Sequence, residues 1–169
     1  MARYNIIRYM DIADGPGIRV SVFFQGCAFH CKNCFNEETW PFEGGKEFTE
    51  EEINHVIDLA REDQYRGLSI LGGESLHPKN IDGATLLAKK FKETYKNKKD
   101  IWLWTGFLFE QVKDKEIMKY VDYVVDGQYK DELHDFRLLF RGSSNQRIID
   151  VQKSLKEGKV IEVNEKEIK

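Results

Sequence analysis

The sequence predicts an α/β protein whose curved, mostly parallel sheet stays open as an incomplete (β/α) barrel, in one domain over residues 1–169. Two observations lead there. Short apolar runs of period two alternate along the chain with longer runs of helical period, the order that builds parallel strands joined by right-handed crossovers. A closed barrel of eight such units takes about 250 residues, so a chain of this length has room for about four to six. Chemistry in such folds gathers at the carboxyl ends of the strands.

The first strong strand is predicted over Ile18–Gln25, with Val20, Val22 and Phe24 facing one way and Ser21 and Phe23 the other. It runs into Gly26 and a cysteine-bearing loop. Thr49 then opens a helix as its N-cap, and Glu52 completes a capping box. Ile53, Val56, Ile57 and Ala60 form the apolar stripe of that helix. A short strand, Leu68–Leu71, ends at Gly72-Gly73-Glu74, and a second helix spans roughly Gly83–Tyr95. Ile101–Thr105 reads as the third strand, stopped by Gly106, with Trp102 and Trp104 on one face. Leu108–Tyr120 reads as a helix and Tyr123–Val125 as a strand ending at Asp126-Gly127. The stretch from Gln128 to Gln146 is irregular. Arg147–Val151 gives one more strand, followed by a C-terminal helix.

With 41% hydrophobic and 33% charged residues, the chain is globular, not disordered. Its net charge of -3 comes from interspersed acids and bases, without the basic stripe of a nucleic-acid binder, so no nucleic-acid partner is expected. No apolar stretch approaches the roughly 20 residues that span a bilayer. Met1 to Met10 includes Arg3, Asn5 and Arg8, unlike the apolar middle of a signal peptide, so a cytoplasmic protein without a membrane partner is expected. Cysteine usage agrees: a secreted disulfide framework is larger and even-numbered.

The cysteines occupy Gly26-Cys27-Ala28-Phe29-His30-Cys31-Lys32-Asn33-Cys34, a C-x3-C-x2-C spacing. Thiolates select zinc, copper(I) or iron–sulfur clusters. Three of them can each hold one iron of a cubane, which leaves the fourth iron without a protein ligand. Electron-carrier clusters are closed by four cysteines, and no cysteine elsewhere in the chain supplies the fourth. An open iron can chelate a small molecule. The residues alone leave a second option, a Cys3His zinc site completed by His30, His55 or His77 in a non-catalytic interaction module.

This loop, following the first strand, resembles the signature of the radical S-adenosylmethionine superfamily. The chain is more closely similar to the activating components of anaerobic (class III) ribonucleotide reductases. The similarity is carried by Asp14-Gly15-Pro16-Gly17-Ile18-Arg19, by the cysteine loop continuing into Asn36 and Thr39-Trp40, and by Leu71-Gly72-Gly73-Glu74. It extends through Trp104-Thr105-Gly106-Phe107, Val125-Asp126-Gly127 and Arg141-Gly142-Ser143-Ser144-Asn145-Gln146-Arg147. Two positions depart from the family pattern: Phe35 stands where His is common, and Ser75 where Pro often follows the acid.

The resemblance implies one [4Fe–4S] cluster on Cys27, Cys31 and Cys34, with S-adenosyl-L-methionine bound at the open iron. It implies an electron from a flavodoxin-like donor, cleavage to methionine and a 5′-deoxyadenosyl radical, and a glycyl radical formed in the large reductase subunit. By the same resemblance Gly72, Gly73 and Glu74 contact the methionine end of the cofactor, and Asn33, Cys34 and Phe35 flank the adenosyl group. Thr105 closes the third strand at the rim, and Asp126 approaches the ribose or the target peptide. No side-chain acid, base or nucleophile is required, because the cofactor carries the hard chemistry. The motifs also admit plainer readings: Gly72-Gly73-Glu74 and Asp14 to Gly17 as turns, Trp102 and Trp104 as core, Arg141 to Arg147 as a capped turn or a grip on the partner. Alternatives to the reductase as target are another glycyl-radical enzyme or a small molecule.

Overall fold

The computed structural model describes residues 1–168. Seven strands form one sheet: β1 (Arg3–Asp11), β2 (Ile18–Phe24), β3 (Lys46–Glu47), β4 (Tyr65–Gly72), β5 (Asp100–Trp104), β6 (Tyr123–Asp126) and β7 (Arg147–Asp150). Their order is β3-β1-β2-β4-β5-β6-β7. The central strands β2, β4, β5 and β6 run parallel. β1, β3 and β7 are antiparallel and lie at the two flanks. The sheet is mixed, mostly parallel and unclosed, which is the predicted class.

Four helices, α1 (Glu50–Leu59), α2 (Ile81–Tyr95), α3 (Phe109–Val112) and α4 (Val151–Glu157), fill the connections. The box between Thr49 and Glu52 starts α1 as expected. α1 offers Ile53 and Val56, and α2 offers Ala84, Leu87, Ala88 and Phe91, to a core shared with Val20, Val22, Leu68, Ile70, Ile101, Leu103 and Val124 of the strands. The alternating residues of β5 to β7 meet on the other face, where Trp102, Val125 and Ile148 are buried with Trp104, Tyr123 and Phe140 packed against them. Among the described residues no helix is long and apolar enough to cross a membrane.

Three expectations need correction. β1 was absent from the predicted elements: it mixes exposed and half-buried residues, and its register with β2 shifts between Tyr4 and Ile6 and between Arg8 and Asp11. Such bulges erase the period-two signature. The predicted helix Leu108–Tyr120 is instead α3 followed by a 3-10 turn at Glu116–Lys119. In a continuous helix Ile117 would sit about 140° around the axis from Val112; breaking the helix lets Phe109, Val112, Ile117 and Met118 all be buried. The strand predicted at Leu68–Leu71 begins earlier, at Tyr65, because β2 and β5 pair along both of its edges.

At the amino ends of the parallel strands Arg19 lies wholly buried. Its guanidinium donates to Ser69 Oγ (2.7 Å), to the carbonyls of Pro16 and Leu68 (both 2.9 Å), and to Asp100 Oδ1 (2.5 Å). Removing one partner of a buried ion pair strands the other. Arg19→Met should therefore lower stability by about 3 kcal/mol in urea denaturation; a loss under about 1 kcal/mol would show that Arg66, 3.7 Å from Asp100, takes over its charge.

The carboxyl ends of β2, β4, β5 and β6 share the opposite rim. They deliver the cysteine loop, Gly72-Gly73-Glu74, Thr105-Gly106 and Asp126-Gly127 to one end of the sheet.

Candidate cluster and cofactor site

The cysteine loop is fastened where it leaves β2. Gly26 N–H donates to Thr39 O (2.5 Å) and Cys27 N–H to Trp40 O (3.1 Å). Gly26 adopts φ 106°, and any side chain there would strike the Phe42 ring. Further along, His30 (φ 48°) and Asn33 (φ 56°) take the left-handed conformation, and Cys34 N–H closes a turn onto Cys31 O (3.1 Å). These bends crowd three residues of one type onto a short curved segment.

All three thiols are free and half-buried. Burial pushes the Cys27 thiol up, against the pull of the Phe29 and His30 backbone N–H groups. Burial and the neighbouring Cys34 push Cys31 up, against the Tyr129 N–H. Cys34 Sγ accepts from Asn36 N–H at 3.4 Å. Backbone donors thus already point at sulfur, the arrangement that stabilises thiolates once a metal centre deprotonates them.

The donor set fits a cube with three protein ligands better than a single closed ion. His30 stacks flat on Trp40 (4.5 Å, 11°), His77 packs on Phe42 (4.4 Å), and His55 is exposed on α1. Among the described residues no group of three or more His, Cys, Asp or Glu is gathered closely enough to hold a metal ion. A cubane takes one thiolate per iron, and three cysteines on one loop match its three protein ligands in number.

The turn after β4 is built against the loop. Gly72 has φ 110°, and a Cβ on Gly73 would lie 2.5 Å from Gly26 O and 2.9 Å from Thr39 O. The close approach that glycine permits here is to the chain itself. Gly73 N–H donates to Phe24 O (2.9 Å) and Glu74 N–H to Gly26 O (2.8 Å).

Glu74 turns inward and is 2% exposed. Its carboxylate accepts from Gly106 N–H (2.7 Å), Thr105 Oγ (2.9 Å) and Leu76 N–H (3.0 Å). All three donors are neutral. Burial therefore outweighs them and raises the Glu74 carboxyl to about 7. Glu74 and Thr105, read separately from the sequence, meet in one network that locks the ends of β4 and β5 together.

Asp126 is placed differently. It is fully buried and engaged by Phe109 N–H (2.7 Å) and by Arg147 (2.5 and 3.0 Å), which also holds Glu110 (2.6 Å). Its carboxylate starts α3 and ties β6 to β7. Asn33 Nδ2 donates to Asp131 Oδ2 (3.0 Å), and the 61%-exposed Phe35 lies against Tyr129 (5.1 Å).

Those last contacts show what the sequence did not. The irregular segment after β6 forms a strap over the cysteine loop, with the Gln128 carboxamide 4.0 Å from Cys31 Sγ. The polar turn at Arg141 to Arg147 anchors it. Gln146 Oε1 accepts from Gly142 and Ser143 N–H (2.8 and 3.2 Å), while Gln146 Nε2 donates to Gly127 O (3.1 Å). Asn145 Nδ2 donates to Gln128 O (2.8 Å), and Ser143 Oγ accepts from Lys130 N–H (3.1 Å). A run of Ser, Asn and Gln signals a turn, but not which distant segment it holds.

An open, mostly parallel sheet with a three-cysteine loop at its carboxyl rim defines the radical S-adenosylmethionine class, and residues 13–149 match the 4Fe-4S single cluster domain family. The chain belongs, within that class, to the family of anaerobic ribonucleoside-triphosphate reductase-activating proteins. It is 38% identical over 145 residues to the protein of that description from Enterobacteria phage T4, covering 86% of this chain and 92% of the relative. The Vibrio cholerae relative is 37% identical over 143 residues (82% and 92%). That of Escherichia coli strain K12 is 33% identical over 141 residues (81% and 91%).

Proposed function

We propose that this chain binds one [4Fe–4S] cluster through Cys27, Cys31 and Cys34, cleaves S-adenosyl-L-methionine reductively, and generates the glycyl radical of an anaerobic ribonucleotide reductase. One observation carries the reading: the three cysteines, all free, share one loop at the rim where the sheet exposes its strand ends. The names of the relatives support the reductase as partner.

When bound, the cluster supplies one electron to the sulfonium and an open coordination position. The chain's own residues position and enclose. Glu74, buried among neutral donors, offers negative charge to the cationic methionine end. Gly72 and Gly73 let the turn that carries Glu74 pack against the base of the loop, and Thr105 fixes the carboxylate's orientation from β5. Asn33, Phe35 and the backbone of Cys34 form the wall beside the adenosyl group, and the strap restricts water. Asp126 contributes by holding β6, β7 and α3 in place at the rim. A flavodoxin-like protein supplies the electron, in the cytoplasm, where thiols stay reduced.

Anaerobically reconstituted protein, given dithionite and S-adenosyl-L-methionine, should form 5′-deoxyadenosine. Its absence with an intact cluster would contradict the proposal. Addition of the large reductase subunit should then produce a glycyl-radical signal by electron paramagnetic resonance, whereas a signal only with another glycyl-radical enzyme would reassign the partner.

A further inference from the structure

The strap does more than cover the cysteine loop. From Phe35, next to Cys34, an aromatic ridge runs outward along it: Phe35 to His134 at 6.0 Å, then His134 to Phe136 at 4.1 Å. Phe35 is 61% exposed and Phe136 is 86% exposed, the most exposed aromatic ring on the described residues. Neither ring contributes to the two buried cores.

The ridge is held rigid by polar contacts. On either side of Phe136, Arg137 grips Asp135 through its backbone N–H (2.9 Å), Nε (3.0 Å) and Nη2 (2.9 Å). Behind it, Ser144 N–H donates to Leu133 O (2.9 Å), and His134 bridges to Ser143. A loop that spends this many hydrogen bonds to present a phenylalanine to water is preorganised, and preorganised aromatic anchors are what hot spots are made of. Between the two rings, His134 Nε2 is shielded from solvent and has no hydrogen-bond partner in the isolated chain. Lys130, Glu132 and Arg137 flank the ridge with charge, giving an apolar centre and a polar rim.

We propose that the ridge Phe35–His134–Phe136 is the docking surface for the polypeptide segment of the partner that carries the target glycine. This rests on the activating function proposed above, since only a polypeptide substrate must bring a backbone carbon past the cysteine loop. The ridge begins one residue from Cys34 and so borders the site that the segment must reach. The exposed rings of Phe35 and Phe136 supply affinity.

The test compares three iron–sulfur-loaded full-length proteins under anaerobic conditions: the unsubstituted chain, Phe136→Ser, and Ile12→Ser. Ile12 is 76% exposed and follows β1 at the opposite end of the sheet, so both substitutions spare the core. Affinity for the large subunit of an anaerobic ribonucleoside-triphosphate reductase is measured by titration calorimetry, and 5′-deoxyadenosine formation is measured without that subunit. Phe136→Ser should weaken binding about tenfold or more, while Ile12→Ser binds normally and all three form 5′-deoxyadenosine at the same rate. Unchanged affinity in Phe136→Ser overturns the proposal, as does an unsubstituted chain that cleaves the cofactor yet never binds the subunit. If no protein forms 5′-deoxyadenosine but Phe136→Ser still loses affinity, the chemistry is wrong and the docking surface stands.

Discussion

Replacing Cys31 by Ala is expected to leave the chain folded but to cut 5′-deoxyadenosine formation by about 10³-fold or more, equivalent to about 4 kcal/mol of barrier. The thiol is half-buried and makes no hydrogen bond that the fold depends on, so its loss costs little stability. The chemistry has no such tolerance. Under the proposed assignment the three thiolates are the whole protein ligand set, so losing one leaves two, and no other cysteine exists to take its place. Cys27→Ala and Cys34→Ala should behave alike, each with less than the full complement of iron after reconstitution. An unchanged thermal midpoint beside lost iron separates ligand loss from unfolding. Full turnover in any one of the three would refute the ligand assignment.

Glu74→Gln should remove a pH dependence of stability worth about 3 kcal/mol, and should weaken S-adenosyl-L-methionine binding by about tenfold or more. In the folded chain without ligand, burial raises this carboxyl from its ordinary 4.5 to about 7. The folded state thus holds the proton more tightly than the unfolded state does. The resulting stabilisation is complete below about 4.5 and is lost as pH rises through about 7. Asp14 is also pushed up to about 7, by burial and by its hydrogen bond to Asp11, and burial raises Asp100 too, so the unsubstituted chain carries other slopes of the same sign. The difference between the two proteins isolates Glu74. Glutamine also presents an amide N–H where Leu76 N–H and Thr105 Oγ expect an acceptor, so the rim network is broken at one point. Denaturation midpoints between pH 4 and 8 check the first effect, and equilibrium dialysis of the cofactor checks the second. Identical pH profiles would mean that Glu74 stays ionised throughout.

What the sequence disclosed follows from how local each signal is. β2 was legible because Val20, Val22 and Phe24 alternate cleanly into one core, and the cysteine loop because its spacing is contiguous. The rim could be read because Gly72-Gly73-Glu74 and Thr105-Gly106 each end a strand. β1 was not legible, since its bulges break the alternation, and its place in the sheet comes from pairing with β2. The strap escaped for a different reason. Its contacts join Cys31 to Gln128 and Asn33 to Asp131, pairs 97 and 98 residues apart, and nothing in the local pattern of either segment marks the other. Glu74 is an intermediate case: its position at a strand end was readable, but two of its three neutral donors, Thr105 Oγ and Gly106 N–H, arrive only when β5 lies alongside β4. Asp126 is similar, because its partner Arg147 enters from an antiparallel strand that follows the strap.

The most direct test of the central claim is metal and sulfide analysis of the purified chain after anaerobic reconstitution, read together with its visible absorption. The account predicts a brown protein with about four irons and four sulfides per chain and no stoichiometric zinc. A colourless protein holding about one zinc per chain would contradict it.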